Sequence, residues 1–291
     1  MRKVTFLHSA FSKKGLSFPV TIVAIVAFAL MAACAPAAPT ATPVHTEAPQ
    51  TTLSVSGSGS ITPVLTAIAD EFQAANPGYV LEVLPGSDTG DAVRGTIEGV
   101  LDFAAMSRLP RDTETEQGIQ FVQFGSSSTA IMSHPEVGVT ELTSEQLTGL
   151  FTGTITNWSE VGGIDASVII YIRDPEEGNT VDIREAFIGE EPFVDTAQLM
   201  NSQTDMQNAL SSVEGSLGYG TWATAIARDA AVTSVIIDGI GTDNPSEEIR
   251  SIMGIGYLAD EQVTVQPLID WLLSENGQTA LQNVGVILLE S

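Results

Sequence analysis

The sequence contains very few of the residues that form disulfides or carry positive charge. Cys34 is the single cysteine among 291 residues, so no disulfide can form within the chain and a folded domain must depend on its hydrophobic core. All three lysines lie near the N-terminus, and none follows Lys14. With a hydrophobic composition of 43%, the chain can still bury the core of one large or two modest domains.

Arginine is the only source of positive charge in the rest of the chain. After residue 34, seven arginines face 36 acidic residues, a formal balance of −29. This excludes nucleic acid as a partner, because no basic stripe is available to replace the counterions of its phosphates. A solubilising acidic surface is the simplest explanation for the excess. Against that background, each arginine is a candidate for a specific role.

Histidine is also scarce, and His134 is the sole one in the predicted folded part. A histidine-based metal site or a catalytic triad therefore lacks parts, and the serines of the glycine-rich loops have no base beside them. We accordingly expect no enzymatic activity, no metal and no cofactor.

The N-terminus has the pattern of an export signal. A basic leader precedes the apolar run "FPVTIVAIVAFALMAAC", which ends in small residues before Cys34. This ending resembles the cleavage motif of bacterial lipoproteins and predicts a signal peptide over 1–34, lipidation of Cys34 and a Pro/Ala/Thr tether over 35–50. An uncleaved anchor, or an ordinary signal with an incidental cysteine, ranks lower. We expect a domain attached to the outer face of the cytoplasmic membrane.

Beyond the tether, short apolar runs alternate with amphipathic segments. Val64, Leu65, Ile68 and Phe72 recur at helical spacing, whereas 80–83 has the pattern of a strand. This alternation predicts an α/β fold with mostly parallel sheets.

Two extended segments are expected to cross between two lobes, each a sheet flanked by helices. The predicted boundaries place 51–128 and 236–291 in lobe 1 and 129–235 in lobe 2.

Three loops of the first lobe follow predicted strands. In "SGSGSITP", Thr62 is expected to cap a helix and leave the amides near Ser60 and Ile61 unpaired, as an anion would require. Taken singly, the first loop is better explained as a simple turn, Asp88 as a local helix cap and Arg108 as a solvated surface residue. Because ligands of open α/β sheets bind at the carboxyl ends of the strands, the three loops are expected to converge. The other candidates are Ser87 and Asp88 in "PGSDTG", and Ser107 and Arg108 in "FAAMSR".

A fourth loop, "RDPEEGNT", combines features that attract and repel an anion. Arg173 and the Gly178-Asn179-Thr180 segment suit anion binding, whereas Glu176 and Glu177 oppose it unless both point into solvent. Trp158 and Tyr219, elsewhere in the same lobe, are interpreted as packing residues.

Taken in order, these segments resemble the phosphate-binding lipoproteins of bacterial phosphate ABC transporters, which have the type II periplasmic-binding-protein fold. The block "LFTGTITNWSEVGG" is the most specific part of the resemblance, which continues through "VEGSLGYG" and "WLLSENGQTALQNVG". It implies a two-lobed monomer that closes on a free oxyanion and delivers it to permease subunits.

The resemblance also implies a set of ligand contacts. In the first lobe, the contacts implied are a hydroxyl and an amide in the first loop, a hydroxyl in the second loop and the two residues at the strand end. In the second lobe, they are an arginine and the Gly-Asn-Thr segment that follows it. These are Ser60, Ile61, Ser87, Ser107, Arg108, Arg173, Gly178, Asn179 and Thr180.

Two departures from the family pattern concern acidic residues. The serine donor of the family is either replaced by Glu177 or displaced by one residue, and Asp88 stands where a small residue is common. A carboxylate can accept the proton of hydrogen phosphate but would repel sulfate, so Asp88, or else Glu177, is predicted to confer specificity. The alternative function is a sensor or surface module of the same fold that binds another oxyanion or small anionic solute.

Overall fold

The computed structural model describes residues 50–289. The predicted signal peptide, the cleavage site before Cys34 and all but the last residue of the predicted tether lie outside the described residues. Among residues 50–289, no helix is both long enough and apolar enough to cross a membrane.

Strands and helices alternate along most of this range, as predicted. The strands are β1 (Thr51–Gly57), β2 (Tyr79–Val83), β3 (Phe103–Met106), β4 (Ile119–Ser133), β5 (Glu141–Leu142), β6 (Ile169–Ile172), β7 (Gln198–Leu199), β8 (Ser216–Thr221), β9 (Thr233–Ile237) and β10 (Arg250–Leu258). The helices are α1 (Thr62–Ala75), α2 (Thr89–Ile97), α3 (Asp112–Glu116), α4 (Ser144–Thr152), α5 (Gly178–Ile183), α6 (Gln203–Ser212), α7 (Trp222–Ala227), α8 (Gln262–Leu273) and α9 (Glu275–Asn283).

The C-terminal segment forms two consecutive helices, α8 and α9. Ser274 ends α8, and its hydroxyl accepts the Gly277 N–H at 3.2 Å to cap α9. A serine in extended conformation satisfies the free amides of a new helix start, which explains the break.

The strands form one continuous sheet with two parallel parts. Its order is β2-β1-β3-β10-β4-β8-β6-β7, with β9 paired to β4 and β5. The triplets β2-β1-β3 and β8-β6-β7 are parallel, whereas β10 and β4 run antiparallel to their neighbours between them. The mixed α/β architecture is therefore confirmed.

Strand β4 belongs to both parts of the sheet. It pairs with β10 up to Ser128 and with β8 from Thr129 onward. The change of partner coincides with the predicted lobe boundary at 128/129, which remains a prediction about which segments move together. The chain returns to β10 after Ile237, so the predicted boundary at 236 falls inside β9.

Each part has its own hydrophobic core. In the first, α1, α8 and α9 pack on β1, β3 and β10, with Phe72 against Trp271 at 5.6 Å between ring centroids. In the second, Trp158 and Tyr219 are fully buried, and the Trp158 indole N–H donates to the Gly215 carbonyl at 2.8 Å. The packing role predicted for both aromatic residues is confirmed.

Candidate functional site

A polar cleft of about 1260 Å³ is lined by residues from both parts of the sheet. Nine of the eleven predicted ligand contacts lie on its wall, and the other two do not. The nine are Ser60, Ser87, Asp88, Ser107, Arg108, Arg173, Glu177, Gly178 and Asn179.

The two exceptions are Ile61 and Thr180, both fully buried. The Ile61 N–H donates to the Ser58 carbonyl at 2.9 Å, and the Ser60 N–H donates to the Ser58 hydroxyl at 3.3 Å. The prediction of free amides in this loop is therefore wrong, because a tight turn after β1 already uses them.

The predicted cap of α1 is also wrong. Thr62 lies inside the helix as its first residue, and its hydroxyl donates to the Ser58 carbonyl at 3.4 Å. The turn begins at Gly57, whose φ of +139° suits glycine, since a Cβ there would lie 2.3 Å from the Ala105 carbonyl oxygen. This close approach of β1 to β3 brings the first loop beside the strand end at Ser107.

In the second loop, Asp88 caps α2 and lies on the cleft wall. Its Oδ1 accepts the Asp91 N–H at 2.7 Å, which satisfies one free amide of the helix. Neighbouring Ser87 donates its hydroxyl to the Asp88 carbonyl at 3.2 Å. Both side chains are exposed, so they remain accessible to a ligand.

At the strand end after β3, Arg108 forms a two-pronged ion pair with Glu114 on α3. Its Nη1 lies 2.8 Å from Oε2 and its Nη2 lies 2.7 Å from Oε1. The hydrogen bonds from Arg108 lower the pKa of Glu114 to about 2, so this carboxylate is charged at neutral pH. The cleft-wall guanidinium of Arg108 is thus largely neutralised by its partner.

On the opposite side, Arg173 follows β6. Its backbone N–H donates to the Tyr219 hydroxyl at 2.8 Å, and that hydroxyl shares a 2.7 Å hydrogen bond with the Thr180 hydroxyl. The guanidinium Nη1 donates to Oε1 of Gln203 at 3.4 Å. Its Nε is buried without a partner among the described residues.

The two glutamates of this loop have different environments. Glu176 is exposed, whereas Glu177 is half-buried on the cleft wall, where its Oε2 accepts the Asn179 N–H at 3.0 Å and caps α5. Burial raises the pKa of Glu177, and the positive charge of Arg173 opposes that rise. Glu176 fits the solvent-facing interpretation, and Glu177 does not.

Behind the loop, a polar cluster joins α5 to β4. The Asn179 side-chain amide donates to the Thr129 hydroxyl at 2.6 Å, and this hydroxyl donates to Oδ2 of Asp182 at 2.6 Å. Burial raises the pKa of Asp182 to about 6, although hydrogen bonds from Thr129 and Ser251 oppose the rise. The cluster lies where β4 changes partners.

The sequence did not single out several residues of the wall. Five of the seven arginines that follow the leader line this cleft, whereas four of the 36 acidic residues do. The absence of lysine made every arginine a candidate, but no local pattern distinguished Arg94, Arg111 and Arg228 from the arginines off the cleft. The additional wall residues include Arg94, Arg111, Arg228, Glu114, Asn201, Ser202, Gln203 and Ser251.

Within residues 50–289, no group of three or more histidine, cysteine or acidic side chains is arranged to hold a metal ion. The cleft instead offers guanidinium, hydroxyl and amide donors, the groups that bind small oxyanions.

A family model described as a PBP superfamily domain matches residues 42–270. The chain belongs to the PBP superfamily. Among curated relatives, it is 26% identical over 194 residues to the phosphate-binding protein PstS of Bacillus subtilis, a match that covers 65% of this chain and 62% of the relative. It is 23% identical to the PstS of Borreliella burgdorferi, covering 81% of this chain and 89% of the relative.

A protein of known structure has the same fold. The structure comes from Clostridium perfringens, is assigned as a phosphate ABC transporter substrate-binding protein and was solved with bound phosphate. It is 24% identical, has a TM-score of 0.65 and covers 82% of this chain and 100% of its own. The expected type II periplasmic-binding-protein fold is therefore confirmed.

Proposed function

We propose that this protein captures inorganic phosphate in the cleft as the solute-binding component of an ABC transporter. The observation that carries the proposal is that five of the seven arginines after the leader line the same cleft, in a chain with a formal balance of −29. Clustered donors in a partly enclosed site bind an anion far more strongly than dispersed surface charges do. The relatives named as phosphate-binding proteins support the same conclusion.

Two carboxylates on the wall would select the protonation state of the anion. Asp88 and Glu177 could each accept a hydrogen bond from hydrogen phosphate, whereas sulfate has no proton to donate at neutral pH. Each carboxylate already accepts one backbone N–H through a single oxygen, which leaves the second oxygen for a ligand.

Isothermal titration calorimetry on the full chain tests both phosphate binding and the preference for phosphate over sulfate. We expect phosphate to bind with a Kd in about the micromolar range or below, and sulfate to bind far more weakly. No heat with any oxyanion would contradict the proposed function. The variants Asp88→Asn and Glu177→Gln preserve a side-chain acceptor for each helix cap, and the specificity proposal is wrong if both retain the full preference for phosphate.

The location and partners of the protein form part of the same proposal. A monomer anchored by a lipid on Cys34 would remain outside the cytoplasmic membrane, close to permease subunits. Mass spectrometry of the N-terminal peptide from cells should show a lipid-modified Cys34 and no residues before it. An unmodified peptide that still carries the leader would contradict the anchor.

The size of the cleft supports a second candidate function. At about 1260 Å³ it exceeds the volume typical of small-ligand pockets, roughly 300–1,000 Å³. A sensor or surface binding module for a larger anionic solute would use the same arginines. Stronger thermal stabilisation by an organic phosphate or carboxylate than by inorganic phosphate would favour this candidate.

A further inference from the structure

Arg173 is held in place by a neutral side chain. Its Nη1 donates to Oε1 of Gln203, the first residue of α6, and Gln203 is more than nine-tenths buried. No carboxylate of residues 50–289 forms a salt bridge with Arg173. The acidic residues of its own loop accept backbone N–H groups, Asp174 from Glu176 at 2.9 Å and Glu177 from Asn179 at 3.0 Å, and Glu177 interacts with Arg173 only at longer range.

The fold makes specific room for this amide. A Cβ on Gly220 of β8 would lie 1.7 Å from Nε2 of Gln203 and 2.7 Å from its Cδ. The amide thus occupies the space that a side chain at position 220 would need. The Nε2 atom is itself buried without a hydrogen-bond partner among the described residues, as is Nε of Arg173. Unpaired buried donors destabilise a protein, so their retention beside the cleft calls for a functional explanation.

From this arrangement, we propose that Gln203 is a positioning residue that orients the Arg173 guanidinium without neutralising it. Arg173 then has no ion-pair partner among the described residues, and only the more distant charge of Glu177 opposes it, whereas the charge of Arg108 is balanced by Glu114 in direct contact. Glutamate at position 203 would have the same size and could accept the same hydrogen bond, but it would cancel the charge. This inference rests on the proposed function, and it identifies why the Arg173 side of the cleft would contribute more to anion binding than the Arg108 side.

The decisive variant is Gln203→Glu, which separates orientation from charge. If Gln203 only packed Arg173, the glutamate would bind the guanidinium at least as well and leave phosphate affinity unchanged. Because it cancels a charge a few ångströms from the anion, we expect phosphate to bind at least about tenfold more weakly. Asn201→Asp is the matched control, because it adds the same charge to an exposed wall residue that has no hydrogen bond to Arg173.

Calorimetry with inorganic phosphate on the full chain should rank the proteins as wild type, then Asn201→Asp, then Gln203→Glu. Equal affinities of Gln203→Glu and wild type, or an equal loss in the control, would overturn the inference. If wild-type protein binds no phosphate, the proposed function fails instead.

A second measurement needs no ligand. In Gln203→Glu, the new carboxylate should form an ion pair with Arg173. The change in melting temperature that Gln203→Glu causes at pH 7 should therefore shrink or reverse sign when it is made in a protein that also carries Arg173→Met. Independent, additive effects of the two substitutions would show that position 203 does not act on Arg173, and would overturn the inference whatever the cleft binds.

Discussion

The two sides of the cleft use arginine in opposite ways. Arg108 is fixed by the charged fork of Glu114, with two nitrogen–oxygen distances of 2.7 and 2.8 Å, and Arg173 is held by the neutral amide of Gln203 at 3.4 Å. The first arrangement gives rigidity and uses much of the donor capacity of the guanidinium. The second gives weaker restraint and leaves the charge available. An arginine on a cleft wall therefore has to be judged by its partner as well as by its position.

The largest effect is expected from removing Arg173, which forms no ion pair among the described residues. Arg173→Gln should weaken phosphate binding by about 100-fold or more, because the substitution removes both a full charge and charge-assisted hydrogen bonds. Arg184→Gln is the control, since Arg184 lies off the cleft wall. Calorimetry that shows similar losses in both variants would remove the basis for distinguishing the arginines.

Removing the charge that balances Arg108 should affect stability more than binding. Glu114→Gln should lower the free energy of unfolding at pH 7 by about 1–3 kcal/mol, because a largely buried charged partner is lost. Phosphate affinity should not fall, since Glu114 then no longer balances the charge of Arg108. A large loss of affinity, measured beside the chemical denaturation curve, would mean that the Arg108 side depends on its ion pair for binding.

The pH dependence of Glu114 provides a check on the same ion pair. Its folded-state pKa of about 2 is below its usual 4.5, so the stabilisation is present above pH 4.5 and is lost as the pH falls toward 2. The stability difference between wild type and Glu114→Gln should therefore disappear near pH 2. A constant difference across this window would contradict the assigned pKa.

A smaller effect is expected behind the Arg173 side, at Asp182. Its folded-state pKa of about 6 is above its ordinary value of 3.8, so the wild type loses stability as the pH rises from about 4 to 6. Asp182→Asn should be more stable than the wild type above pH 6 by about 1–2 kcal/mol, with no advantage below pH 4. Urea denaturation of both proteins at pH 4 and at pH 7.5 measures the two differences. An equal stability advantage of Asp182→Asn at the two pH values would contradict the raised pKa of Asp182.

The smallest effect is expected at Glu176. Its side chain is exposed at the rim, so Glu176→Gln should change phosphate affinity less than about twofold and unfolding free energy by less than about 0.5 kcal/mol. Glu177→Gln, on the wall, is the natural comparison in the same titration. If Glu176→Gln changed phosphate affinity as much as Glu177→Gln does, the loop would act on the ligand through its total charge.

Much of the site could be anticipated because strand ends of a parallel sheet converge. Ser87, Ser107 and Arg173 follow three different strands, yet they line one cleft. The free amide expected at Ile61 was wrong because the turn after β1 pairs it with the Ser58 carbonyl, and the expected cap was wrong because α1 begins a residue earlier than the cap pattern indicates.

The partners of the arginines were harder to anticipate. Glu114 lies six residues from Arg108, close enough in the chain to suggest a pair, but Gln203 lies 30 residues from Arg173 and carries no charge. The Gln203 amide fits only because residue 220, on β8, is a glycine. No sequence pattern indicates that a missing side chain at one position makes space for a side chain from a distant segment. Interactions that depend on shape across distant segments require the structure.

The path of β4 through both parts of the sheet also has a consequence for folding order. The second part, from Thr129 to Ile237, is one continuous stretch of chain, whereas the first core needs β10 and the last two helices to join residues near the start of the domain. Local contacts form faster than distant ones, so the second part can complete its core while the first still waits for its C-terminal strand. As the chain emerges from the ribosome or is exported, the half that contains Arg173 is therefore ready first, and the half that contains Arg108 is completed only when the last segment arrives.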